Sequence, residues 1–161
     1  MKIVAIVQAR TGSTRLPGKV LRLLQGASML SRELERIQRS RLMDTLVVAT
    51  TNKEEDATIV PIVESLGCRV FLGSESDVLD RFYHAAKENG ATVIVRLTGD
   101  CPLHASEVID ETIQHFLDAH GALDYTSTPR NYPEGLDCEV FTFAALEHAW
   151  KHATLPSERE H

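Results

Sequence analysis

The chain predicts an α/β domain with a mostly parallel sheet and helices on both of its faces. Short stretches rich in Val and Ile, four to six residues long, recur at 2–7, 45–49, 69–72 and 92–97. Longer stretches with helical spacing separate them, the alternation that crossover connections between parallel strands require. A loop dense in glycine and cations follows the first strand, at the edge where such sheets collect their ligands.

Residues 2–7 (KIVAIV) are apolar enough for a buried strand. The stretch 29–41 carries Met29, Leu30, Leu34 and Ile37 at spacings of one, four and three, an amphipathic helix with its other face in water. Residues 45–49 (TLVVA) form the second strand. A helix is expected over 54–66, with Ile59, Ile62, Val63 and Leu66 along one stripe and Gly67 as its stop. Pro61 conflicts with that pattern, because an interior proline removes a helical hydrogen bond. The third strand is 69–72.

Ser76 is the expected N-cap of a helix over 77–88, with Asp77 and Asp80 placed to favour its positive end. Asn89-Gly90 ends it and 92–97 (TVIVRL) follows as a strand. Ser106 precedes a helix to about 118 whose core face is Val108, Ile109, Ile113, Phe116 and Leu117. Beyond residue 122 the rhythm changes: a short strand at 123–126, a turn-rich loop at 128–136, a strand at 137–143 expected away from the main layer, and a helix over 143–152. The chain then stops in SEREH, with no packed element expected there.

Charge and cysteine usage exclude several classes. A net charge of −6 argues against a general nucleic-acid or membrane surface, which would need an excess of Lys and Arg. Cys68, Cys101 and Cys138 contain no CxxC pair, so neither a disulfide scaffold nor a zinc site is expected. Gln8 and Arg10 interrupt the apolar N-terminus before a signal-peptide core or a spanning helix could form. A reducing, cytoplasmic setting is the expectation.

Against that acidic background the loop at 8–19 stands out, with Arg10, Arg15, Lys19, Gly12 and Gly18 within ten residues. Glycines let backbone amides approach an anion and the cations neutralise it, so the loop reads as a triphosphate cradle, a solvent-exposed loop whose cations do nothing being the other reading. It is not the ATPase P-loop: five residues rather than four separate Gly12 from the Gly18-Lys19 pair, and Val20 follows where Ser or Thr belongs. No GxGxxG is present. Asp100 follows the strand at 92–97 at its carboxyl end, where a hard carboxylate suits Mg²⁺; a turn or capping aspartate is the other reading of its position.

VQARTGSTRLPGKVL at 7–21 closely resembles the opening motif of sugar nucleotidyltransferases. The likeness is to the cytidylyltransferase family that contains the acylneuraminate and 3-deoxy-manno-octulosonate cytidylyltransferases and a spore coat polysaccharide biosynthesis protein F branch. RLTGDCPL at 96–103 and NYPEGLDCEVF at 131–141 continue the resemblance in the same order. It implies a GT-A-like, Rossmann-like fold, with 1–161 a single nucleotidyltransferase domain lacking its C-terminal part, since relatives use a further carboxylate from late in the domain. It also implies transfer of CMP from CTP to a sugar hydroxyl, a sugar acid being the expectation. Pyrophosphate is released, Mg²⁺ is the cofactor, a homodimer is possible, and the product feeds surface polysaccharide or glycoconjugate synthesis. Two other readings stay open: a different nucleotide or a sugar phosphate as substrate, and a non-catalytic nucleotide-binding or assembly module.

By the same resemblance Ala9, Arg10, Gly12 and Ser13 match the nucleotide-gripping residues, and Arg15 and Lys19 the phosphate-binding cations. Lys19 and Arg10 take catalytic roles beside Asp100, which matches the magnesium-binding aspartate. Arg81, in SDVLDRF, falls in a segment near the nucleotide, although helix capping and an i to i+4 ion pair between Asp77 and Arg81 explain part of that motif without function. Asp137 and Glu134 are candidates for sugar or second-metal contact, with loop capping as the alternative. His84, His104, His115 and His120 have no metal spacing and read as surface or helix-end residues. Cys101 has no His tied to it by sequence and reads as a residue packed under the sheet edge rather than a nucleophile.

Overall fold

β1 (Ile3–Gln8) forms the middle of the sheet because residues 3–7 are all buried, so neither of its faces meets water. The computed structural model describes residues 1–13 and 16–160. In chain order β1 is followed by a small hairpin, β2 (Leu23–Leu24) and β3 (Ala27–Ser28), then α1 (Met29–Ile37), β4 (Thr45–Thr51), α2 (Ile59–Ser65) and β5 (Arg69–Gly73). α3 (Val78–Glu88), β6 (Val93–Thr98), α4 (Ser106–Asp118), β7 (Tyr125–Ser127), β8 (Glu139–Thr142), α5 (Phe143–His152) and α6 (Pro156–Glu160) complete it.

The sheet order is β5-β4-β1-β6-β8-β7. Its first four strands are parallel, and β8 runs antiparallel between β6 and β7. Period-two alternation divides the core. Ile3, Ala5 and Val7 pack with Leu30, Leu34, Ile59, Val63, Ile109 and Ile113, so α1, α2 and α4 cover one face. Val4 and Ile6 pack with Phe82, Ala85, Ala86 and Leu146, so α3 and α5 cover the other. On that second face Trp150 stacks on Tyr83 with ring centroids 4.1 Å apart, and its indole N–H donates to Asp80.

Several expectations are corrected. The strand at 137–143 does not lie away from the main layer: β8 is inside the sheet, held to β6 by the ladder and by Arg96, whose Nη1 donates to both Glu139 carboxylate oxygens at 3.0 and 2.9 Å. The helix from Met29 stops at Ile37 rather than Arg41, because the Asp110 carboxylate captures the Ser40 hydroxyl and the Arg41 and Leu42 amides. The 54–66 helix is a 3₁₀ turn, Glu54–Thr58, followed by α2. That break resolves the Pro61 conflict: Pro61 is the third residue of α2, where helical N–H groups lack partners anyway.

Asp77, not Ser76, caps α3, accepting from Asp80 N at 2.9 Å. α4 begins at Ser106 itself, with Ala105 before it. Residues 156–160 are packed after all: Arg159 Nε donates to Asp77 Oδ2 at 2.6 Å and its Nη1 to the Trp150 and Ala153 carbonyls. No helix among the described residues is long and apolar enough to cross a membrane.

Candidate active site

The carboxyl ends of β1 and β6 lie side by side, and the loops that leave them enclose a cleft of ≈ 290 Å³. Gly99 permits that approach. A Cβ there would lie 2.8 Å from both Ala9 Cβ and the Gln8 carbonyl, and the Gly99 amide donates to that carbonyl at 2.8 Å. Gln8, Ala9, Arg10, Ser13 and Lys19 line the cleft from the first loop, Asp100 from the second and Arg81 from α3. With Glu160 from the end of α6, three cations face two carboxylates.

Lys19 and Asp100 are in direct contact, Nζ donating to Oδ2. Burial pulls the Asp100 carboxyl up, but the hydrogen bond and charge of Lys19, with bonds from Thr98 and Cys101, outweigh it and hold the group below its ordinary value. Asp100 is therefore an anion poised beside an ammonium group. Burial pushes the neighbouring Cys101 thiol up to about 11, opposed by Thr98 and reinforced by the charges of Asp100 and Glu33. That is the wrong direction for a nucleophile.

The first loop is pinched at its neck. The Thr11 carbonyl accepts from both Ser13 N and Gly18 N at 2.8 Å, and Gly18 takes the left-handed conformation, φ 66°, needed to turn back toward Lys19. Thr11 is itself held by Asp56, 1% exposed, whose Oδ1 accepts from its amide and hydroxyl at 2.6 Å each. Asp56 Oδ2 accepts the Thr51 hydroxyl from β4. Burial raises the Asp56 carboxyl, but Thr11, Thr51 and the Arg10 charge together leave it below its ordinary value. Ser13 Oγ accepts from Leu16 N at 3.4 Å, Ala9 is buried, and Arg10 Nη1 donates to Glu75 Oε1 at 3.4 Å. Lys53 takes the other Glu75 oxygen at 2.6 Å. Arg15, the remaining expected cation, lies outside the described residues.

Arg81 is 2% exposed and does not pair with Asp77 as an exposed i to i+4 partner would. Its Nη1 donates to the Ser74 carbonyl at 2.5 Å, while its buried Nε has no partner. Burial and the Arg10 charge lower its pKa against the pull of Asp56, Glu75 and Asp77. Gln8 Oε1 is also buried without a partner. Both residues line the cleft, although these two atoms are themselves buried.

Asp137 and Glu134 do not line the cleft. Asp137 Oδ2 accepts from Gly135 N at 3.1 Å, the loop-capping role, and Glu134 is exposed. His104 is no surface residue: it is fully buried against fully buried Glu33, Nδ1 to Oε1 at 3.1 Å. The sequence reading missed Glu33, Asp56, Glu75 and His104. Glu33 carried a signal, since it falls in the apolar stripe of Leu30, Leu34 and Ile37, where a carboxylate needs a partner.

Among the described residues no three His, Cys, Asp or Glu side chains form a metal cage. Mg²⁺ typically keeps several waters and takes one or two carboxylates together with substrate phosphates. A single half-exposed carboxylate beside three cations fits an ion that arrives with an anionic ligand better than a resident one.

Residues 4–159 match the family described as Cytidylyltransferase, and the chain belongs to that family. It is 43% identical over 142 residues to the spore coat polysaccharide biosynthesis protein SpsF of Bacillus subtilis, covering 86% of this chain and 58% of that protein. To the 3-deoxy-manno-octulosonate cytidylyltransferase of Pelobacter propionicus it is 36% identical over 120 residues, 73% of this chain and 46% of the other. The solved structure of a cytidylyltransferase from Leptospira borgpetersenii superposes on it with a TM-score of 0.96 at 39% identity, over 100% of this chain and 68% of that one. The expected GT-A-like, Rossmann-like fold is thereby established, with its mixed, mostly parallel sheet. The chain spans between 44% and 65% of the length of the curated relatives it matches.

Proposed function

We propose that this chain is the nucleotide-binding body of a cytidylyltransferase that moves CMP from CTP to a sugar hydroxyl, with a sugar acid as acceptor. The observation that carries the reading is the Lys19–Asp100 contact at the paired ends of β1 and β6, in one cleft with Arg10 and Arg81. Family membership and the likeness to octulosonate cytidylyltransferases support the nucleotide and the acid acceptor. The likeness to SpsF supports a place in surface polysaccharide synthesis.

In this scheme the sugar hydroxyl oxygen attacks the α phosphorus. The bond from that phosphorus to the bridging oxygen breaks, pyrophosphate leaves, and the hydroxyl proton passes to solvent. The cleft contributes position and charge rather than a covalent intermediate. Arg10 leaves Glu75 to clamp the triphosphate, and Ser13 and Gly12 hold the phosphates at the loop neck. Lys19 turns from Asp100 toward the phosphate oxygens when the triphosphate binds and stays on them as negative charge builds. Arg81 and Gln8 form part of the wall against which the nucleotide rests. Mg²⁺, held by Asp100 and the phosphates, would supply further charge neutralisation. Asp137 and Glu134, outside the cleft, take no part.

Calorimetric titration of CTP, ATP, GTP and UTP with Mg²⁺ into the wild type and Lys19→Ala tests the scheme. CTP-selective binding that weakens tenfold or more in the variant is expected, on the order of one charge-assisted hydrogen bond. A pyrophosphate-release screen over sugar acids then identifies the acceptor. Equal binding of all four nucleotides, or no effect of Lys19, would sink the proposal in favour of a non-catalytic module.

A further inference from the structure

α1 meets the loop after β6 through a pair of buried ionisable groups. Glu33 and His104 stand 71 residues apart in sequence and are both fully buried, on a face of the sheet otherwise packed with Leu, Ile and Val. Each polar atom of the pair is used. Glu33 Oε1 faces His104 Nδ1 at 3.1 Å, and Glu33 Oε2 accepts the Cys101 amide at 3.2 Å. His104 Nε2 meets the Asp137 carbonyl at 3.1 Å. A carbonyl oxygen can only accept, so Nε2 carries a proton and donates it there. One further proton lies between Nδ1 and Oε1, and all three bonds survive on whichever atom it sits. Arg36, one turn along α1, donates through Nε to the His104 carbonyl at 2.8 Å.

Burying such a pair seldom stabilises a fold more than well-packed apolar side chains would. A leucine in place of Glu33 would complete the stripe of Leu30, Leu34 and Ile37. What the pair does, and leucine cannot, is grip backbone. Cys101 N is the peptide directly after Asp100, and Asp137 O closes the 128–138 loop between β7 and β8. We infer that Glu33 and His104 are positioning residues that lock the Asp100 turn and the 128–138 loop to α1, so that the Asp100 carboxylate stays where Lys19 meets it. The inference rests on Asp100 being the working carboxylate of the proposed reaction; the two residues themselves touch no substrate.

The test compares the wild type with Glu33→Gln and the double variant Glu33→Leu/His104→Leu. In Glu33→Gln the side-chain amide can still accept the Cys101 amide with its oxygen and donate to Nδ1 with its nitrogen, so this variant should behave as wild type. The double variant should melt within several degrees of the wild type, its apolar packing offsetting the Cys101 amide and Asp137 carbonyl left without partners. Its amide hydrogen exchange should nevertheless quicken on the order of tenfold or more in segments 99–104 and 135–138, with β1 and β4 unchanged. The gain in CTP affinity on adding Mg²⁺ should fall about tenfold, while metal-free CTP affinity stays the same. A purely structural pair would not separate those two affinities. Unchanged exchange in both segments of a folded double variant overturns the inference, as does a Glu33→Gln protein as loosened as the double variant. Should the double variant not fold, Glu33→Met removes both the acceptor of Cys101 N and the partner of His104 Nδ1, while His104 keeps its own bond to the Asp137 carbonyl. Exchange must then rise in 99–104, and a flat profile there is again fatal. A wild type that fails to bind CTP would defeat the proposed reaction, and the exchange profiles would still decide whether the pair positions the turn.

Discussion

Removing the Asp56 carboxylate should loosen the loop after β1 and destabilise the whole chain. Asp56 accepts three hydrogen bonds while almost wholly buried, two from Thr11 and one from Thr51. In Asp56→Ala the Thr11 groups, half-buried, regain water and cost about 1 kcal/mol each, while the buried Thr51 hydroxyl left without its partner costs about 1–3 kcal/mol. The sum, roughly 3–5 kcal/mol, is a large part of the 5–15 kcal/mol typical of a domain. Asp56→Asn keeps an oxygen for Thr11 and an N–H for Thr51, so its loss should stay near 1 kcal/mol. Urea unfolding at pH 7 reads both values. The pH dependence supplies a sign: the folded carboxyl titrates below its ordinary value, so its stabilisation is complete above the unfolded value of about 3.9 and disappears as pH falls through the folded one. The gap between wild type and Asp56→Asn should therefore narrow below about pH 4. A loss under 0.5 kcal/mol in Asp56→Ala, or a gap that widens in acid, would refute the reasoning.

Gly99→Ala should lower stability by about 2 kcal/mol or more, because its Cβ would sit 2.8 Å from Ala9 Cβ and the Gln8 carbonyl and force β1 and β6 apart; thermal unfolding checks it, and a variant of wild-type stability contradicts the close approach. Cys101 and Cys138, with thiols pushed up to about 11 and about 12, should alkylate at pH 8 more slowly than a free thiol, on the order of a hundredfold for Cys101 and a thousandfold for Cys138, as mass spectrometry with iodoacetamide would record. Asp80→Ala should leave the buried end of Trp150 without its acceptor, costing about 1 kcal/mol in urea unfolding; Trp150 fluorescence unchanged in position and intensity would argue against the bond.

Much of the parallel half was legible because its signals are local. The apolar runs ending in Val7, Ala49 and Leu97 announce strands by composition, and the 3.6-residue spacing of Leu30, Leu34 and Ile37 announces a helix by periodicity. Errors fell where a distant group intervened. Asp110 ends α1 from 70 residues away, and β8 joins the main sheet because Arg96 on β6 answers Glu139. Neither partner is visible from the short weakly alternating run around residue 140. Pro61 looked like a conflict only while two short elements were read as one helix.

The candidate site divides in the same way. That Arg10, Ser13, Lys19 and Asp100 would gather in one cleft was readable because glycines and cations crowd one loop and a carboxylate ends a strand. Their chemistry belongs to residue type and short spacing, which a linear chain already holds. Which of them meet was not readable. Lys19 finds Asp100 across 81 residues, Asp56 ties down Thr11, and Glu33 and His104 bury their polar ends against each other, while Asp137 turns its carboxylate onto its own loop. Such contacts depend on how β1, β6 and α1 pack, and packing sums weak interactions over the whole sheet. The sequence alone determined the alternation of strands and helices and the crowding of glycines and cations into one loop; only the tertiary structure decided their partners, because burial and distance are properties of the folded chain.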